Sequence, residues 1–397
     1  MRITFFRQAD YDTIEEIAGK IKDMMDSPPT EWDEINSTGL VVPLHKKGPI
    51  NNLNNYRGVC LLPMVSRVIA RILATRLRTW AEEVELLDDN QTGFRSGRST
   101  ADAAQMFIRL NEEWERMYEN KERTTGQQQE SENDPVATLL DITKAYPRLN
   151  KPFLWHLLER KKIPTKILRL LQGLHEFTSY EVRGSEGNST KWTPERGVRE
   201  GCSTSPILFN IYHAEAMRRA AEKRRETATE LGMKVGLEWM WIPGNSFPPR
   251  NVNKPNSNAR KFTIEDSLFA DDTTLVGNRR EMAFGKEVIK REMRKYEEIC
   301  HDGKEEHLNF GRQSGADIRM LGSFIGRKTD VEQRLIRGRK AWFMLRKRLK
   351  GSKMSKVTQG RVTAAIVEST MLFACEIRPW RKSEVKRMQQ FVDKAYI

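Results

Sequence analysis

Two adjacent carboxylates, Asp271 and Asp272, lie between short runs rich in Leu, Phe, Val and Thr, in the stretch Ser267-Leu-Phe-Ala-Asp-Asp-Thr-Thr-Leu-Val-Gly277. The pattern predicts a β-hairpin that turns at the acids. Two like charges on a tight turn between buried strands cost free energy unless a cation sits beside them. Hairpin turns usually favour Asn-Gly or Asp-Gly, so turn chemistry alone does not account for the pair. A divalent-metal site is the expectation; a solvated acidic turn is the alternative. Asp88-Asp89 provides a control, an acidic pair at the polar end of a helical segment where solvation suffices.

A chain of 397 residues has room for two or three subdomains and a sizeable core. It has no long uncharged run, so no membrane span is expected. Charges begin at Arg2 with no apolar leader, so no secretion signal is expected either. Cys60, Cys202, Cys300 and Cys375 are scattered without C-x-x-C spacing and read as reduced, intracellular thiols. Cys300-His301 with His307 lacks the second pair a structural zinc needs. The formal net charge is +14, and from Arg327 to Ile397 there are 19 Lys and Arg against 6 Asp and Glu. Nearly all the excess therefore sits in the last segment. That concentration is the footprint of phosphate-backbone binding and points to a nucleic-acid partner.

Apolar periodicity organises the rest. Ile14, Ile17, Ile21 and Met24 predict a helix over 9–26, ended by Ser27-Pro28-Pro29. Gly39–Leu44 reads as a strand, followed by the basic turn Lys46-Lys-Gly-Pro49 and then Asn51–Arg57. Met64–Leu87 is helical. Gln91–Thr100 is a Gly-rich basic loop whose Ser99 or Thr100 caps a helix lasting to about Tyr118. Residues 119–135 are polar and aperiodic and read as a linker or insertion; residues 243–260, rich in Pro and Asn, read as a surface insertion. Between them fall the strand Val136–Leu140, a helix opening at Pro152, a second over about Pro164–Phe177, and a hairpin-like stretch to Trp192. The loop Arg196–Cys202 opens a long helix near Ser205-Pro206. After the acidic hairpin come a helix from Arg279 to about Cys300, a strand over about Asp317–Ile325 and two basic helical stretches.

Asp141 ends an apolar strand beside which the acidic hairpin could pack. Three acids on neighbouring strand ends suit two-metal phosphoryl transfer, in which Mg²⁺ takes oxygen ligands and borrows the rest from water and substrate phosphates. Alone, Asp141 would be an ordinary strand-end acid.

Six blocks in order change that reading: Lys46-Lys-Gly48 with Asn55-Tyr-Arg57; Gln91-Thr-Gly-Phe-Arg-Ser-Gly-Arg-Ser-Thr100; Asp141-Ile-Thr-Lys-Ala-Tyr146; Arg196-Gly-Val-Arg-Glu-Gly-Cys-Ser-Thr-Ser-Pro206; Phe269-Ala-Asp-Asp272; and Leu321-Gly322. Together they resemble a reverse transcriptase (RNA-directed DNA polymerase) of the non-LTR retrotransposon, LINE-like kind. The resemblance implies an α+β right-hand polymerase fold: an antiparallel palm sheet with helical fingers and a helical thumb. It implies an N-terminal helical extension over 1–37, a reverse transcriptase domain over 27–326 with insertions near 119–135 and 243–260, and a basic thumb-like region over 327–397. The implied activity is RNA-templated DNA synthesis with two Mg²⁺ ions, Mn²⁺ being a substitute. Its partners are an RNA template, a DNA primer and dNTPs, with no membrane. Asp141 and Asp271 become the main metal ligands, with Asp272 assisting and the Ile142 carbonyl as a further ligand. Lys46 or Lys47, and Arg57, match residues that grip the incoming triphosphate. Tyr146 matches an aromatic that excludes a ribose 2′-OH; its alternative is a buried core aromatic. Glu200 and Gly201 stand at the nucleotide. Gln91, Gly93, Phe94 and Gly197 match template-side positions.

The chain also departs from the family pattern. Glu200 stands where Gln is usual, Pro147 where Asp is common, Gly58 where Pro commonly follows, and Ser203-Thr204 in place of Pro-Leu. A Lys-Thr pair usual after the hairpin's helix is replaced by Asn309-Phe-Gly-Arg312. These departures leave an alternative open: a degenerate retroelement protein that binds nucleic acid without catalysis. An RNA-dependent RNA polymerase would instead carry Gly-Asp-Asp and a small residue in place of Tyr146. About forty residues precede the first block, with no acid and His set for an endonuclease, which is expected on a missing segment or another protein. Arg337-Gly-Arg-Lys340 and Arg346-Lys-Arg348 serve either as thumb surface or as nuclear-localisation signals; an intracellular, nuclear protein is the expectation.

Overall fold

The computed structural model describes residues 10–27, 38–46, 48–125, 130–176, 179–241, 260–301, 303–312 and 318–396. Lys47, Gln127–Gln129, Pro28-Pro29 and residues 243–259 lie outside the described residues.

In chain order the first half contains α1 (Tyr11–Asp26), β1 (Gly39–His45), β2 (Tyr56–Leu61), α2 (Met64–Glu83), α3 (Thr100–Thr125), β3 (Pro135–Asp141), α4 (Lys151–Arg160) and α5 (Thr165–Glu176). The second half adds β4 (Tyr180–Val182), α6 (Ser205–Glu230), β5 (Leu237–Trp241), β6 (Arg260–Ile264), β7 (Asp266–Phe269), β8 (Asp272–Asn278) and α7 (Arg279–Arg294). Then follow β9 (Glu306–Asn309), β10 (Arg319–Met320), β11 (Ser323–Phe324), α8 (Arg327–Lys350), α9 (Lys356–Thr363) and α10 (Lys382–Tyr396). The chain divides into two compact units, interleaved in sequence.

The first unit comprises Met1–Phe94, Asp141–Glu230 and Glu287–His301. Its core follows from helical spacing: Ile69, Leu73 and Leu77 of α2 are fully buried, as are Leu154 and Leu158 of α4, Leu171 and Leu174 of α5, and Ile207, Leu208 and Ile211 of α6. Helix α2 packs against both α5 and α6. Helix α4 begins where Asn150 accepts the Phe153 N–H at 2.9 Å, with Pro152 in the first turn where its missing donor costs nothing. In the small sheet of this unit β1 is central, antiparallel to β2 and parallel to β4.

The second unit comprises Arg95–Leu140, Leu231–Lys286 and Asp302–Ile397. Its four-stranded sheet has the order β7-β8-β3-β9. Phe107 and Ile108 of α3 pack with Ala137, Val276, Leu308 and Phe310 from the sheet side, and Phe107 stacks on Phe310 with ring centroids 6.1 Å apart. Helices α8, α9 and α10 enclose a separate core of Leu335, Leu345, Met371 and Met388. Beneath it Asp330 and Arg334 pair at 3.0 Å, both nearly inaccessible, while Arg334 also donates to the carbonyls of Met371 and Phe373.

Several boundaries differ from the sequence-based expectation. The polar stretch expected from 119 begins as helix, because α3 continues to Thr125. Glu119, Lys121, Glu122 and Arg123 are good helix formers, and the extension needs no apolar stripe. The strand expected over 317–325 is instead the β10–β11 hairpin, with Leu321 (φ 47°) and Gly322 (φ 95°) both left-handed, as a two-residue type I′ turn requires. Helix α7 stops at Arg294, short of Cys300, which is bridged to Ile142. Strand β9 escaped the reading because only Leu308 of its four residues is buried, leaving no alternation to detect.

Candidate active site

The expected acidic hairpin is present. Strand β7 pairs antiparallel with β8, ending in the register Phe269↔Asp272, so Ala270 and Asp271 make the two-residue turn and Asp272 opens β8. Leu275 and Val276 are fully buried and anchor the strand. Ala270 takes φ 55°, a left-handed conformation that costs a residue with a Cβ roughly 1–2 kcal/mol. The strand pairing sustains that cost and leaves Asp271 at the hairpin tip, half-buried, with Asp272 exposed beside it.

Strand β3 runs antiparallel to β8, since the Arg279 N–H donates to the Asp134 carbonyl at 3.0 Å and the Arg280 N–H to Glu132 at 2.9 Å. Strand β8, which opens at Asp272, is flanked in this sheet by β7 on one side and β3 on the other. Asp141 is the residue with which β3 ends. Its carbonyl accepts the His301 N–H at 2.8 Å, and the Thr143 N–H donates to Ile299 at 2.8 Å. Strand alternation therefore directs the Ile142 carbonyl to the opposite side of the chain. Among the described residues, no group of three or more His, Cys, Asp or Glu side chains stands close enough to hold a metal ion. The acids are thus not a finished chelate. They are an all-oxygen donor set, which suits a hard cation that fills its remaining positions from water or phosphate.

In the first unit the loop 196–202 is stitched down on two sides. The Gly197 N–H donates to Leu149 at 2.8 Å and the Val198 N–H to the Tyr146 carbonyl at 2.9 Å; on the other side the Cys60 N–H donates to Glu200 at 2.8 Å. Both glycines are required there. A Cβ on Gly197 (φ 81°) would sit 2.6 Å from the Pro147 oxygen, and one on Gly201 (φ 107°) 2.6 Å from the Cys60 oxygen. The loop thereby brings Glu200 and Gly201 to Arg57 on β2, and Gly197 to Tyr146. Arg57 Nε lies 3.9 Å from Glu200 Oε2. Tyr146 rests its ring against Phe209 at 5.3 Å and stays half-exposed. Lys46 is exposed at the loop end of the β1–β2 pair, its N–H bonded to Asn55 at 2.8 Å.

A family model described as Reverse transcriptase (RNA-dependent DNA polymerase) matches residues 44–311. The chain belongs to the reverse transcriptase family. Five of the six motif blocks fall within that match, so the resemblance drawn from them holds. Similar proteins from Drosophila melanogaster include the probable RNA-directed DNA polymerase from transposon X-element, 28% identical over 189 residues, covering 46% of this chain and 18% of that protein. That from transposon BS is 26% identical over 192 residues, covering 47% of this chain and 19% of that protein. The matched segment thus spans less than a fifth of either relative's length. Among solved structures, apo telomerase from Candida tropicalis gives a TM-score of 0.48 at 12% identity, over 98% of this chain and 66% of that chain.

The chain differs from the sequence-based picture at two places in unit 1. Gln91 is buried at 1% exposure, and its side-chain oxygen accepts the Gly93 N–H at 2.8 Å. It shapes its loop from inside, while Phe94 is the residue the loop presents, at 47% exposure. Asn210 of α6 fixes the same loop by donating to the Gly93 carbonyl at 2.8 Å, a contact across 117 residues that no local pattern announces. The second place is Thr204. Its hydroxyl lies 2.9 Å from His175 Nε2 and 3.0 Å from Cys202 Sγ, all buried. Burial first, then the charges of Arg199 and Lys151, hold His175 well below the usual histidine range, so it is neutral at pH 7. The hydroxyl thus finds partners in a position where an apolar residue is usual. Arg199, also missed, turns inward beneath the loop, its guanidinium 5.4 Å from the Tyr180 ring centroid.

Proposed function

We propose that this chain catalyses RNA-templated DNA synthesis for a retrotransposon, extending a primer 3′-OH with dNTPs by two-metal phosphoryl transfer. Family membership supports the reaction class, and the observation that carries the reading is the β7–β8 hairpin, whose turn holds Asp271 at its tip and whose second strand opens at Asp272. In this reading Asp141 and Asp271 hold the metal ions, Asp272 assists, and the Ile142 carbonyl supplies a further oxygen. Mg²⁺ bound there would lower the pKa of the primer hydroxyl and neutralise charge on the transferred phosphate. The chain's own contribution is positioning. Arg57 and Lys46 orient the triphosphate, Tyr146 bars a ribose 2′-OH, Gly197 and Gly201 let the backbone approach the nascent pair, and Phe94 meets the template. The basic helices α8 to α10 track the duplex through its phosphates, as a thumb.

The second reading, a nucleic-acid-binding protein without catalysis, is favoured by one observation, the anion of Glu200 beside Arg57. Primer extension separates the two. On an RNA template with an annealed DNA primer, dNTPs and Mg²⁺ or Mn²⁺, the proposal expects stepwise extension. Retained template binding with no incorporation under either metal would establish the second reading.

A further inference from the structure

We propose that Glu200 is a positioning residue that sets nucleotide affinity by holding Arg57 until a triphosphate displaces it. This rests on the polymerase reading above. Arg57 Nε stands 3.9 Å from Glu200 Oε2, with the Arg57 side chain 58% exposed and that of Glu200 28%. The guanidinium is therefore both engaged and reachable from solvent. The carboxylate cannot retreat with its backbone. Its carbonyl accepts the Cys60 N–H at 2.8 Å, and the next residue, Gly201, lies so close to the Cys60 carbonyl that even a methyl would not fit. Arg199, on the other side, faces inward over Tyr180 and its carbonyl accepts the Ser205 hydroxyl at 2.6 Å, so the loop is pinned before Glu200 as well.

A single carboxylate 3.9 Å away, beyond hydrogen-bond distance, is a weak partner for a mostly exposed arginine, and a triphosphate is a stronger one, offering several anionic oxygens in a geometry the guanidinium fork matches. The nucleotide therefore wins the exchange. It does so against two costs: separation of the Arg57–Glu200 pair, and repulsion between its phosphates and a carboxylate that stays nearby. Glu200 thus raises the nucleotide concentration the enzyme needs. A neutral amide of the same shape imposes neither cost.

Single-nucleotide incorporation on a primed RNA template tests this with wild type, Glu200→Gln, Arg57→Ala and the double variant. Glu200→Gln is expected to lower KM for the dNTP about two- to fivefold, the range an exposed pair of this kind supports. The gain should be read in KM, shrink as ionic strength rises, and be clearly smaller in the Arg57→Ala background, where only the phosphate repulsion remains. An unchanged KM, or a gain just as large without Arg57, overturns the proposal while leaving the polymerase reading intact. A dideoxy-terminated primer provides a second readout without chemistry, namely the dNTP concentration that stabilises the protein–primer–template complex. If wild type incorporates nothing but Glu200→Gln still halves that concentration or better, the affinity role stands and the activity reading falls. No nucleotide-dependent complex in any of the four proteins overturns both.

Discussion

Gly201 shows how little freedom single residues have around the nucleotide loop. With φ at 107° and the Cys60 carbonyl oxygen 2.6 Å from where a Cβ would stand, Gly201→Ala must either strain the backbone or push β2 away. We expect a loss of about 1–3 kcal/mol, read as a lower urea midpoint at unchanged slope. An unchanged midpoint would mean the loop is not seated on β2. The two loop glycines were legible in the sequence because a motif spaced them. The inward turn of Arg199 and the Thr204–His175 hydrogen bond were not. A buried polar pair 29 residues apart leaves no periodicity behind, and a lone arginine reads as solvated until its burial is seen.

At the scale of elements, hydrophobic pattern predicted well wherever it had room to repeat. Helices α1, α2 and α6 and the hairpin β7–β8 could be read directly, although only α2 buries one regular face: α1 buries Met24 alone, and α6 is buried on all sides over Ile207–Ala214. The turn within that hairpin, expected at Asp271-Asp272, falls one residue earlier at Ala270-Asp271, because Ala270 takes a left-handed conformation that turn preferences assign to Gly, Asn or Asp. The basic helix α8 was legible as a charged helix, but its buried ion pair was hidden in that charge. Asp330 and Arg334 are 1% and 2% exposed, and Arg378 also reaches Asp330 at 3.9 Å. Removing the acid strands two buried guanidinium groups. Asp330→Ala should therefore cost about 3–5 kcal/mol in urea denaturation, against well under 1 kcal/mol for an exposed pair. A loss in the lower range would show that α8 is not anchored through this aspartate.

For the molecule as a whole, the sequence carried the charge asymmetry and the ordered motifs, and these identified the family before any coordinate. The division into two interleaved units was not legible, because each is assembled from three segments that return to one another across gaps of 15 to 90 residues. The account's central claim joins the acids to chemistry and the basic surface to binding, and these should separate cleanly. The measurement is primer extension by Asp271→Ala beside its affinity for the same primed RNA template. The account predicts dNTP incorporation reduced by about a thousandfold or more, with template affinity within about twofold of wild type. Incorporation at the wild-type rate would contradict it.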